Sequence, residues 1–267
     1  SLVGSEMYIR DSGGSGEFAA NCCLSVTEQI ESAKTKVSNK IKDGKYIAYF
    51  QSFTNTYGDI NYLKKIFNEA ISHPDIVALS IGTRPDCLPN DVLLLLSDLN
   101  QVKPVWVELG LQTSNERTAV NINRGYKLCV FEEAVKALNK IHVDIIVHLI
   151  IGLPGESKND MINSIRYACS MNISGIKLQL LHVLKNTPLE KEYFLNKFEV
   201  LSMKEYIDII AECLLYIPDN IVIHRLTGDG PKSLLVAPMW SADKKKVLNY
   251  MNQRFKELDI HQGKLVP

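Results

Sequence analysis

The chain has 267 residues, of which 46% are hydrophobic and 22% are charged, so it is long enough to form one large α/β domain or two ordinary ones. Lysine and arginine total 30 and aspartate and glutamate total 30, and this balance excludes a strong overall field that would attract nucleic acid or an anionic membrane. The lysine run at 244–246 is a local basic cluster, although such runs are more often a solvated helix face.

The sequence offers no sign of membrane insertion or secretion. No apolar run reaches the roughly 18 residues that a transmembrane helix needs, and no charged-then-apolar leader opens the sequence. The six cysteines lack the dense spacing of a secreted disulfide scaffold. Cys129, Cys169 and Cys213 lie inside apolar segments, where a small buried thiol is the simpler interpretation. We therefore expect a cytoplasmic protein that does not bind membranes.

From about residue 45 the sequence alternates between short β-branched runs and amphipathic stretches of helix length. The predicted strands are Tyr46–Gln51, Ile76–Ile81, Val105–Leu109, Asp144–Ile151, Gly175–Leu181 and Asn220–His224. The predicted helices are Ile60–Ser72, Asn90–Leu99, Phe131–Lys140, Lys158–Ser170, Ser202–Tyr216 and Ala242–Leu258.

The ends of these segments carry recognisable signals. Asn90 and Ser202 are predicted N-caps, and Pro74 and Pro218 are predicted stops. Repeated β-α-β units predict an α/β fold with a parallel sheet. The spacing fits a full or partial (β/α) barrel as well as an open doubly wound sheet.

Polar residues follow the carboxyl ends of the predicted strands, where ligand sites lie in such folds. In chain order they are Gln51, then Arg84 and Asp86, then Glu108 and Gln112, then His148 with the run Gly152, Leu153 and Pro154, then Gln179 and His182, and finally His224, Arg225 and Asp229. A polar rim of this kind predicts an enzyme barrel.

Three of these polar groups arrive close together in the sequence and predict a shared ligand, because isolated buried charges are costly. The Glu108 carboxylate can accept hydrogen bonds from ribose hydroxyls, and Gln112 can both donate and accept. Arg124 can clamp a carboxylate in bidentate fashion. An amino-acid carboxylate attached to a nucleoside would engage all three, and Gln51 could take its ammonium end.

Simpler interpretations stay open for several residues. Arg84 and Asp86 are close enough in sequence to pair with each other. The GLPG run at 152–155 can be an ordinary turn, with Ser157 or Asn159 capping the next helix. His148 is either a satisfied core imidazole or another rim contact. His224, Arg225 and Asp229 can equally form a structural salt bridge between a C-terminal extension and the barrel.

The motifs IAYFQ, TRPDCL, VELGLQTSNERTAVNINRG, HLIIGLPGE, IKLQLLHVLKNTP and IVIHRLTGDGP occur in this order. The series resembles the radical S-adenosylmethionine (radical SAM) proteins, specifically the YhcC/YtqA-type group. That group is similar to the radical SAM domains of the Elongator catalytic subunit and of coproporphyrinogen dehydrogenase. The resemblance implies a partial (β/α)6 TIM-like barrel at 45–217, preceded by an N-terminal segment at 1–44 and followed by an extension at 218–267 that packs on the barrel.

The resemblance also implies the cofactors. A [4Fe–4S] cluster held by three cysteines would bind SAM at its fourth iron and cleave it to a 5′-deoxyadenosyl radical, which abstracts hydrogen from a substrate. An electron donor such as flavodoxin or ferredoxin is expected, and the substrate is unknown, with RNA as one candidate class.

The resemblance assigns residue roles by position. Gln51 falls near the methionine amino group, Glu108 and Gln112 match ribose and methionine contacts, Arg124 matches the carboxylate clamp, and residues 150–156 give backbone support to adenine. The predicted cofactor-binding residues are Gln51, Glu108, Gln112, Arg124, His148, Gly152, Leu153 and Pro154. The substrate-side candidates are Arg84, Asp86, His182, His224, Arg225 and Asp229.

The sequence departs from the family at the cluster. The family carries Cys-x3-Cys-x2-Cys or a close variant, and no such spacing occurs here, so no metal ligand is predicted. Cys22 and Cys23 are adjacent and cannot present three thiolates to three irons. Either a cluster-binding loop is omitted from segment 1–44, or the protein lacks the cluster.

Three functions follow from these alternatives. We predict a radical SAM enzyme of unknown substrate. The alternative is a cluster-free nucleoside-binding or nucleic-acid-binding barrel without catalysis. An ordinary phosphate-binding barrel enzyme is less favoured, because no glycine-rich phosphate loop follows a late strand.

Overall fold

The structure is a computed structural model that describes residues 24–37, 44–51, 54–228, 230 and 232–266. Six strands form one sheet in the order β1-β2-β3-β4-β5-β7, and two further strands, β6 and β8, form a small antiparallel sheet. The pairs β1–β2, β2–β3 and β5–β7 are parallel. The predicted fold class, a partial (β/α)6 TIM-like barrel, is confirmed.

The strands alternate with helices along most of the chain. The strands are β1 Tyr46–Phe50, β2 Ile76–Thr83, β3 Val105–Gln112, β4 Asp144–Ile151, β5 Gly175–Leu180, β6 Val183–Leu184, β7 Val222–Arg225 and β8 Leu235–Ala237. The α-helices are α1 Val26–Val37, α2 Ile60–Ser72, α3 Asn90–Val102, α4 Glu116–Asn121, α5 Leu128–Lys140, α6 Lys158–Cys169, α7 Pro188–Phe194, α8 Met203–Leu215 and α9 Lys244–Glu257. Two short 3-10 helices span Pro85–Cys87 and Met239–Ala242. Among these described helices, none is both long enough and apolar enough to cross a bilayer.

The described chain divides into two compact units. The N-terminal unit takes its described residues from Ser15–Gly110 and Cys129–Ile146, and the C-terminal unit takes them from Leu111–Leu128 and Val147–Pro267. Each unit therefore contains two separate stretches of the sequence.

The N-terminal unit is organised by apolar periodicity. Helix α2 buries Leu63, Phe67, Ala70 and Ile71, which recur at the spacing of one helical face. Phe67 is fully buried, and the ring of Phe50 meets it edge to face at 4.9 Å between centroids. Strand β2 is buried along most of its length, as expected for a parallel strand that is covered on both faces.

The C-terminal unit has its own core. Helix α8 buries seven of its residues, including the fully buried Tyr206, whose hydroxyl donates to the backbone oxygen of Leu226 at 2.9 Å. A second apolar cluster collects residues from the end of α4, from β4 and the turn after it, from the segment after β5, from the small sheet and from α7: Ile122, Ile150, Leu153, Leu181, Val183, Leu189 and Ala237. This second cluster therefore includes residues of the segments that follow β4 and β5.

Several sequence predictions need correction. Strand β3 runs on to Gln112, so Glu108 lies inside the strand instead of at its end. Leu109 and Leu111 are both fully buried, so the strand continues through Gly110 because these two side chains pack in the core. Asn90 is the first helical residue of α3 and not its cap, because Pro89 takes the N-cap position without a side-chain hydrogen bond.

Other local predictions are confirmed. Ser202 caps α8 in a reciprocal capping box with Glu205, and Pro74 and Pro218 follow the ends of α2 and α8. Helices α1, α4 and α7 and strands β6 and β8 were not predicted. They are short or weakly apolar, so neither period 3.6 nor period 2 marks them strongly in the sequence.

Candidate functional site

In the N-terminal unit, Glu108 is held by two hydroxyl groups from neighbouring strands. Ser80 on β2 donates to Oε1 at 2.6 Å and Tyr49 on β1 donates to Oε2 at 2.5 Å. Glu108 is only 4% exposed. Hydrogen bonds from β1 and β2 therefore fix the Glu108 side chain of β3 in one orientation.

The other predicted residues of this unit lie at the ends of β1 and β2. Arg84 and Asp86 form a bidentate ion pair, with Nε–Oδ1 at 2.9 Å and Nη2–Oδ2 at 2.8 Å, which is the simpler interpretation of this motif. Gln51 is half-buried directly after β1. The Asn55 amide bridges the two strand ends by donating to the backbone oxygens of Phe50 and Gly82, each at 2.9 Å.

In the C-terminal unit, Gln112 ends β3 with a left-handed backbone, φ 61°. That conformation costs a non-glycine residue on the order of 1 kcal/mol, and such strain is concentrated at functional sites. The Tyr126 hydroxyl donates to Gln112 Oε1 at 3.3 Å. The Gln112 side chain is thus directed by both its backbone and Tyr126.

Arg124, the predicted carboxylate clamp, is deeply buried and bonds to two backbone oxygens and one carboxylate of neighbouring residues. Nη2 pairs with the Glu116 carboxylate at 2.9 Å, Nη1 donates to the backbone oxygen of Thr113 at 2.7 Å, and Nε donates to the backbone oxygen of Tyr126 at 3.0 Å. Its guanidinium also lies 4.8 Å from the centre of the Tyr126 ring. Glu116 in turn accepts from the backbone N–H of Leu128 at 2.6 Å, which fixes the start of α5.

A polar network ties the loop after β3 to the loop after β4. The Thr113 hydroxyl donates to Glu156 Oε1 at 2.5 Å and lies 3.2 Å from the hydroxyl of Ser164 on α6. Ser164 Oγ also accepts from the backbone N–H of Ser114 at 2.9 Å. The two loops are therefore held to each other and to α6.

Glu156 is the unusual member of this network. Its Oε2 is buried and has no hydrogen-bond partner among the described residues. Burial raises the pKa of Glu156 to about 7, although the hydroxyls of Thr113 and Thr118 act to lower it, and the Asp160 carboxylate raises it further. Glu156 therefore changes its protonation near neutral pH.

The GLPGE run forms a turn whose backbone angles require glycine at two positions. Gly152 and Gly155 have φ values of 92° and 81°, and a Cβ on Gly152 would lie 3.0 Å from the Leu201 side chain. Leu153 is only 2% exposed and belongs to the apolar cluster. Ser157 caps α6 in a reciprocal capping box with Asp160. Of the two capping residues left open by the sequence, Ser157 is therefore the one used.

His148 and Gln179 meet on the adjacent strands β4 and β5. The Gln179 amide nitrogen lies 3.1 Å from His148 Nδ1, and both side chains are half-buried in strands that are otherwise largely buried. A hydrogen bond from Gln179 would leave Nε2 as the protonated nitrogen of a neutral imidazole.

The substrate-side histidines pack against glycines. A Cβ on Gly175 would lie 2.6 Å from His224 Nε2, and a Cβ on Gly228 would lie 2.6 Å from His182 Cε1. Arg225, the last residue of β7, is opposite Lys177 of β5 in the sheet register. Asp229 lies outside the described residues.

Sequence reasoning missed the residues that orient the predicted ones. Tyr49, Ser80, Thr113 and Tyr126 contact Glu108, Glu156 or Gln112 directly. A hydroxyl side chain beside a predicted polar position is the only signal they give, and hydroxyl residues are too common for that signal to be specific.

Three of the four described cysteines lie in surroundings that favour the neutral thiol. Burial raises the pKa of Cys169 and of Cys213 to about 12 and also raises the pKa of Cys87, while Cys129 is exposed on α5. Among the described residues, the only group able to share a metal ion is Glu31, His73 and Asp75. The Lys34 ammonium bridges the carboxylates of Glu31 and Asp75 at 2.8 and 2.7 Å, where a cation would bind.

Comparison with known proteins gives a consistent result. The chain is 42% identical to "Uncharacterized protein YtqA" of Bacillus subtilis over 251 residues, covering 94% of this chain and 78% of YtqA. It is 31% identical to "Protein YhcC" of Escherichia coli over 217 residues, covering 81% of this chain and 69% of YhcC.

A solved structure of archaeal Elp3 from Methanocaldococcus infernus, with an N-terminal deletion, matches the fold. Its TM-score is 0.75 at 17% identity, covering 90% of this chain and 61% of that chain, so this chain spans about three fifths of that structure. Residues 25–168 match the family described as the Radical SAM superfamily, and residues 173–257 match the Radical_SAM C-terminal domain. On this evidence the chain belongs to the radical SAM superfamily.

Proposed function

We propose that the chain binds SAM through its C-terminal unit. We also propose that the protein acts as a radical SAM enzyme when it carries the three cluster cysteines of the family. Its substrate is still to be identified. Membership of the superfamily supports SAM as the ligand. The observation that carries the proposal is the hydrogen bond from Thr113, just after β3, to Glu156, just after β4. Because this bond joins the loops at two strand ends, the rim is pre-organised and loses little freedom on binding.

Individual residues of the C-terminal unit suit different parts of SAM. Gln112 offers an amide donor and acceptor to the methionine end. The buried backbone of residues 150–152 and the apolar Leu153 and Pro154 suit the adenine ring. His148 and Gln179, paired on adjacent strands, suit a polar group of the same ligand. Gln51 and Glu108 of the N-terminal unit and the clamp role of Arg124 remain predictions.

The described residues do not fit the cluster. Three of the four described cysteines have raised thiol pKa values, and no three of the four are spaced as Cys-x3-Cys-x2-Cys. Iron–sulfur ligation needs thiolates in a shared loop. SAM binding and radical chemistry are therefore separate parts of the proposal.

Anaerobic reconstitution with iron and sulfide tests the radical part. Visible absorbance and electron paramagnetic resonance would report a cluster, and chromatography of the reduced protein with SAM would report 5′-deoxyadenosine. We expect both signals from a protein that carries the family's cysteine triplet. Absence of a cluster from such a protein would disprove the radical function and leave SAM binding to be judged by itself.

Gln112→Gly tests the SAM site without a cluster. Glycine prefers the left-handed backbone that Gln112 adopts, so the substitution removes the side chain while folding is retained. We expect SAM affinity, measured by titration calorimetry, to fall about tenfold, corresponding to one lost charge-assisted hydrogen bond of about 1.4 kcal/mol.

Asn123→Gly is the matched control, since Asn123 is exposed and also left-handed, with φ 53°. This variant should bind SAM as the native protein does. Equal affinities for the native protein and both variants would contradict the proposed role of Gln112.

A cluster-free nucleoside-binding barrel is the second candidate, and the lack of a cysteine triplet favours it. The two candidates differ in ligand preference. A cluster-free binder would hold adenosine or S-adenosylhomocysteine as tightly as SAM, whereas a radical SAM protein should bind SAM more tightly once its cluster is present.

The predicted electron donor, substrate class and cellular compartment are part of the same proposal. A low-potential donor such as flavodoxin or ferredoxin would supply electrons, RNA is one candidate substrate class, and the cytoplasm is the expected compartment. Reduction of the reconstituted protein by a purified flavodoxin, followed by optical spectroscopy, would test the donor.

A further inference from the structure

The start of helix α9 concentrates positive charge where a helix disfavours it. Lys244, Lys245 and Lys246 occupy the first three helical positions, and Asp243 caps the helix by accepting from the Lys246 backbone N–H at 3.0 Å. The amino end of a helix already carries partial positive charge, so three lysines there repel it and one another. In a chain whose formal net charge is zero, this local excess is distinctive.

The same lysines line two depressions in the C-terminal unit. One has a volume of about 580 Å³ and is also lined by Lys232, Met239 and Trp240. The other has a volume of about 430 Å³ and is also lined by Asn249, Tyr250 and Gln253. Asp243, Lys245 and Lys246 line both, so the depressions adjoin, and we call them together the basic groove.

The basic groove combines cations with flat and polar side chains. The Trp240 indole is half-buried and held in place by donating from Nε1 to the backbone oxygen of Leu201 at 2.9 Å. Met239 beside it is 62% exposed. Tyr250 and the amide of Asn249 lie in the second depression. Among the described residues, neither Lys245 nor Lys246 takes part in an ion pair, so both ammonium groups remain solvated on the surface.

We propose that the basic groove binds single-stranded nucleic acid. Lysines can neutralise successive phosphates, and the Trp240 and Tyr250 rings can stack on unpaired bases, which is how proteins bind single strands without sequence preference. Two adjoining depressions suit an extended polymer better than a compact anion. A bilayer is flat and would not enter a groove, and an acidic peptide has few flat rings to stack.

The proposal goes beyond SAM binding and does not rest on it. The groove residues are separate from Gln112, Glu156 and the loops after β3 and β4. Binding is therefore measured on the protein without cluster and without SAM, so failure of one proposal leaves the other intact.

Fluorescence anisotropy with a labelled oligouridine of about 15 nucleotides is the direct test. We expect Lys245→Glu/Lys246→Glu to weaken binding about tenfold or more. The slope of log affinity against log salt should fall in magnitude by about 1.4, since each lost phosphate contact to a single strand contributes about 0.7. Glutamate interacts favourably with a helix amino end, so this variant should fold and its melting temperature should not fall.

Lys64→Glu/Lys65→Glu is the matched control, because these exposed neighbours on α2 undergo the same charge change far along the chain. The control should bind oligouridine nearly as the native protein does. Equal loss in both variants would mean general electrostatic attraction and would overturn the proposal, as would undetectable binding by the native protein at low salt.

Trp240 provides a second readout. In a Trp106→Phe background Trp240 is the only tryptophan, since the chain has two, and bound oligouridine should quench its fluorescence. Unchanged fluorescence at saturating oligouridine would contradict stacking. Binding of anionic lipid vesicles or of poly-glutamate through Lys245 and Lys246, with no binding of oligouridine, would replace nucleic acid with that partner.

Discussion

Glu156 has a carboxyl group whose protonation depends on its burial. One oxygen accepts from Thr113, and the other is buried without a hydrogen-bond partner among the described residues. Its pKa of about 7 in the folded protein is above the ordinary 4.5, so the folded protein binds this proton more tightly than the unfolded chain does. The protonated side chain is therefore the form that the loop stabilises.

This difference predicts a pH dependence of stability. The free energy of unfolding should decrease as pH rises from about 4.5 to about 7. The contribution of this group to the slope is at most about 1.4 kcal/mol per pH unit. Glu156→Gln, which resembles the protonated form, should remove that part of the slope in urea unfolding measured across this range. The exposed control Glu133→Gln should retain it, and identical slopes in the native and Glu156→Gln proteins would refute the assignment.

Arg124 shows how a predicted ligand contact can also be a structural one. It connects Glu116, the Thr113 backbone and the Tyr126 backbone through three hydrogen bonds. Arg124→Ala should lower the free energy of unfolding by about 2 to 3 kcal/mol, because buried carbonyl oxygens lose a charged donor. The exposed neighbour Arg117→Ala should change it by less than about 0.5 kcal/mol.

Denaturant unfolding of both variants would check this prediction. A loss of SAM affinity in Arg124→Ala can be attributed to a direct contact only if its stability is close to that of the Arg117→Ala protein. A similar small effect in both variants would show that Arg124 is dispensable for folding.

Helix ends differ in how well local sequence determines them. The capping box of α8 joins Ser202 and Glu205, which are only three residues apart, so sequence alone was sufficient to find it. Asn90 carries the same kind of side chain, but Pro89 extends the turn by one residue and takes the cap position. The difference lies in the backbone angles and not in the side-chain chemistry.

A pair of substitutions tests this distinction. Ser202→Ala should destabilise the protein by about 1 kcal/mol, because the backbone N–H of Glu205 loses its hydroxyl acceptor at the start of α8. Asn90→Ala should change stability by less than about 0.5 kcal/mol, since Asn90 has no capping role. Thermal unfolding of both proteins checks the prediction, and equal losses would mean that Asn90 does act as a cap.

Helix α1, unlike the helix caps, is held in place by contacts with residues that are distant in the sequence. Lys34 and Glu31 of α1 contact Asp75 and His73 in the turn before β2. The hydrogen bond from Lys34 lowers the pKa of Asp75. These partners are about forty residues apart, and neither helical nor strand periodicity could have indicated their contact.

At the scale of the whole molecule, the chain passes more than once between its two compact units. The last described residues belong to the C-terminal unit and bond back to the segment between α8 and β7. Gln262 donates to the backbone oxygens of Pro218 and Ile221 at 2.7 and 2.8 Å, and the backbone N–H groups of Gly263 and Leu265 donate to Leu214 and Leu215. These bonds satisfy the carboxyl end of α8 and the approach to β7.

Removing residues 260–267 should therefore destabilise the C-terminal unit by about 2 to 6 kcal/mol, on the basis of about four hydrogen bonds of roughly 0.5 to 1.5 kcal/mol each. Amide hydrogen exchange should increase at 214–225. Gln262→Ala should show a smaller increase at the same amides, and unchanged exchange there after truncation would disprove this closing role.

The sequence by itself determined the alternation of strands and helices, and its motifs carried the resemblance that implied the partial barrel and the superfamily. These features depend on side-chain periodicity and on motifs whose residues are close together in the chain. It also predicted polar residues near the carboxyl ends of the strands, because those ends carry the ligand sites in parallel α/β folds. The tertiary structure decided what each polar group contacts. The Ser80 and Tyr49 bonds to Glu108 and the bond between Thr113 and Glu156 join separate elements of the chain. Burial can change a pKa only where such elements pack together.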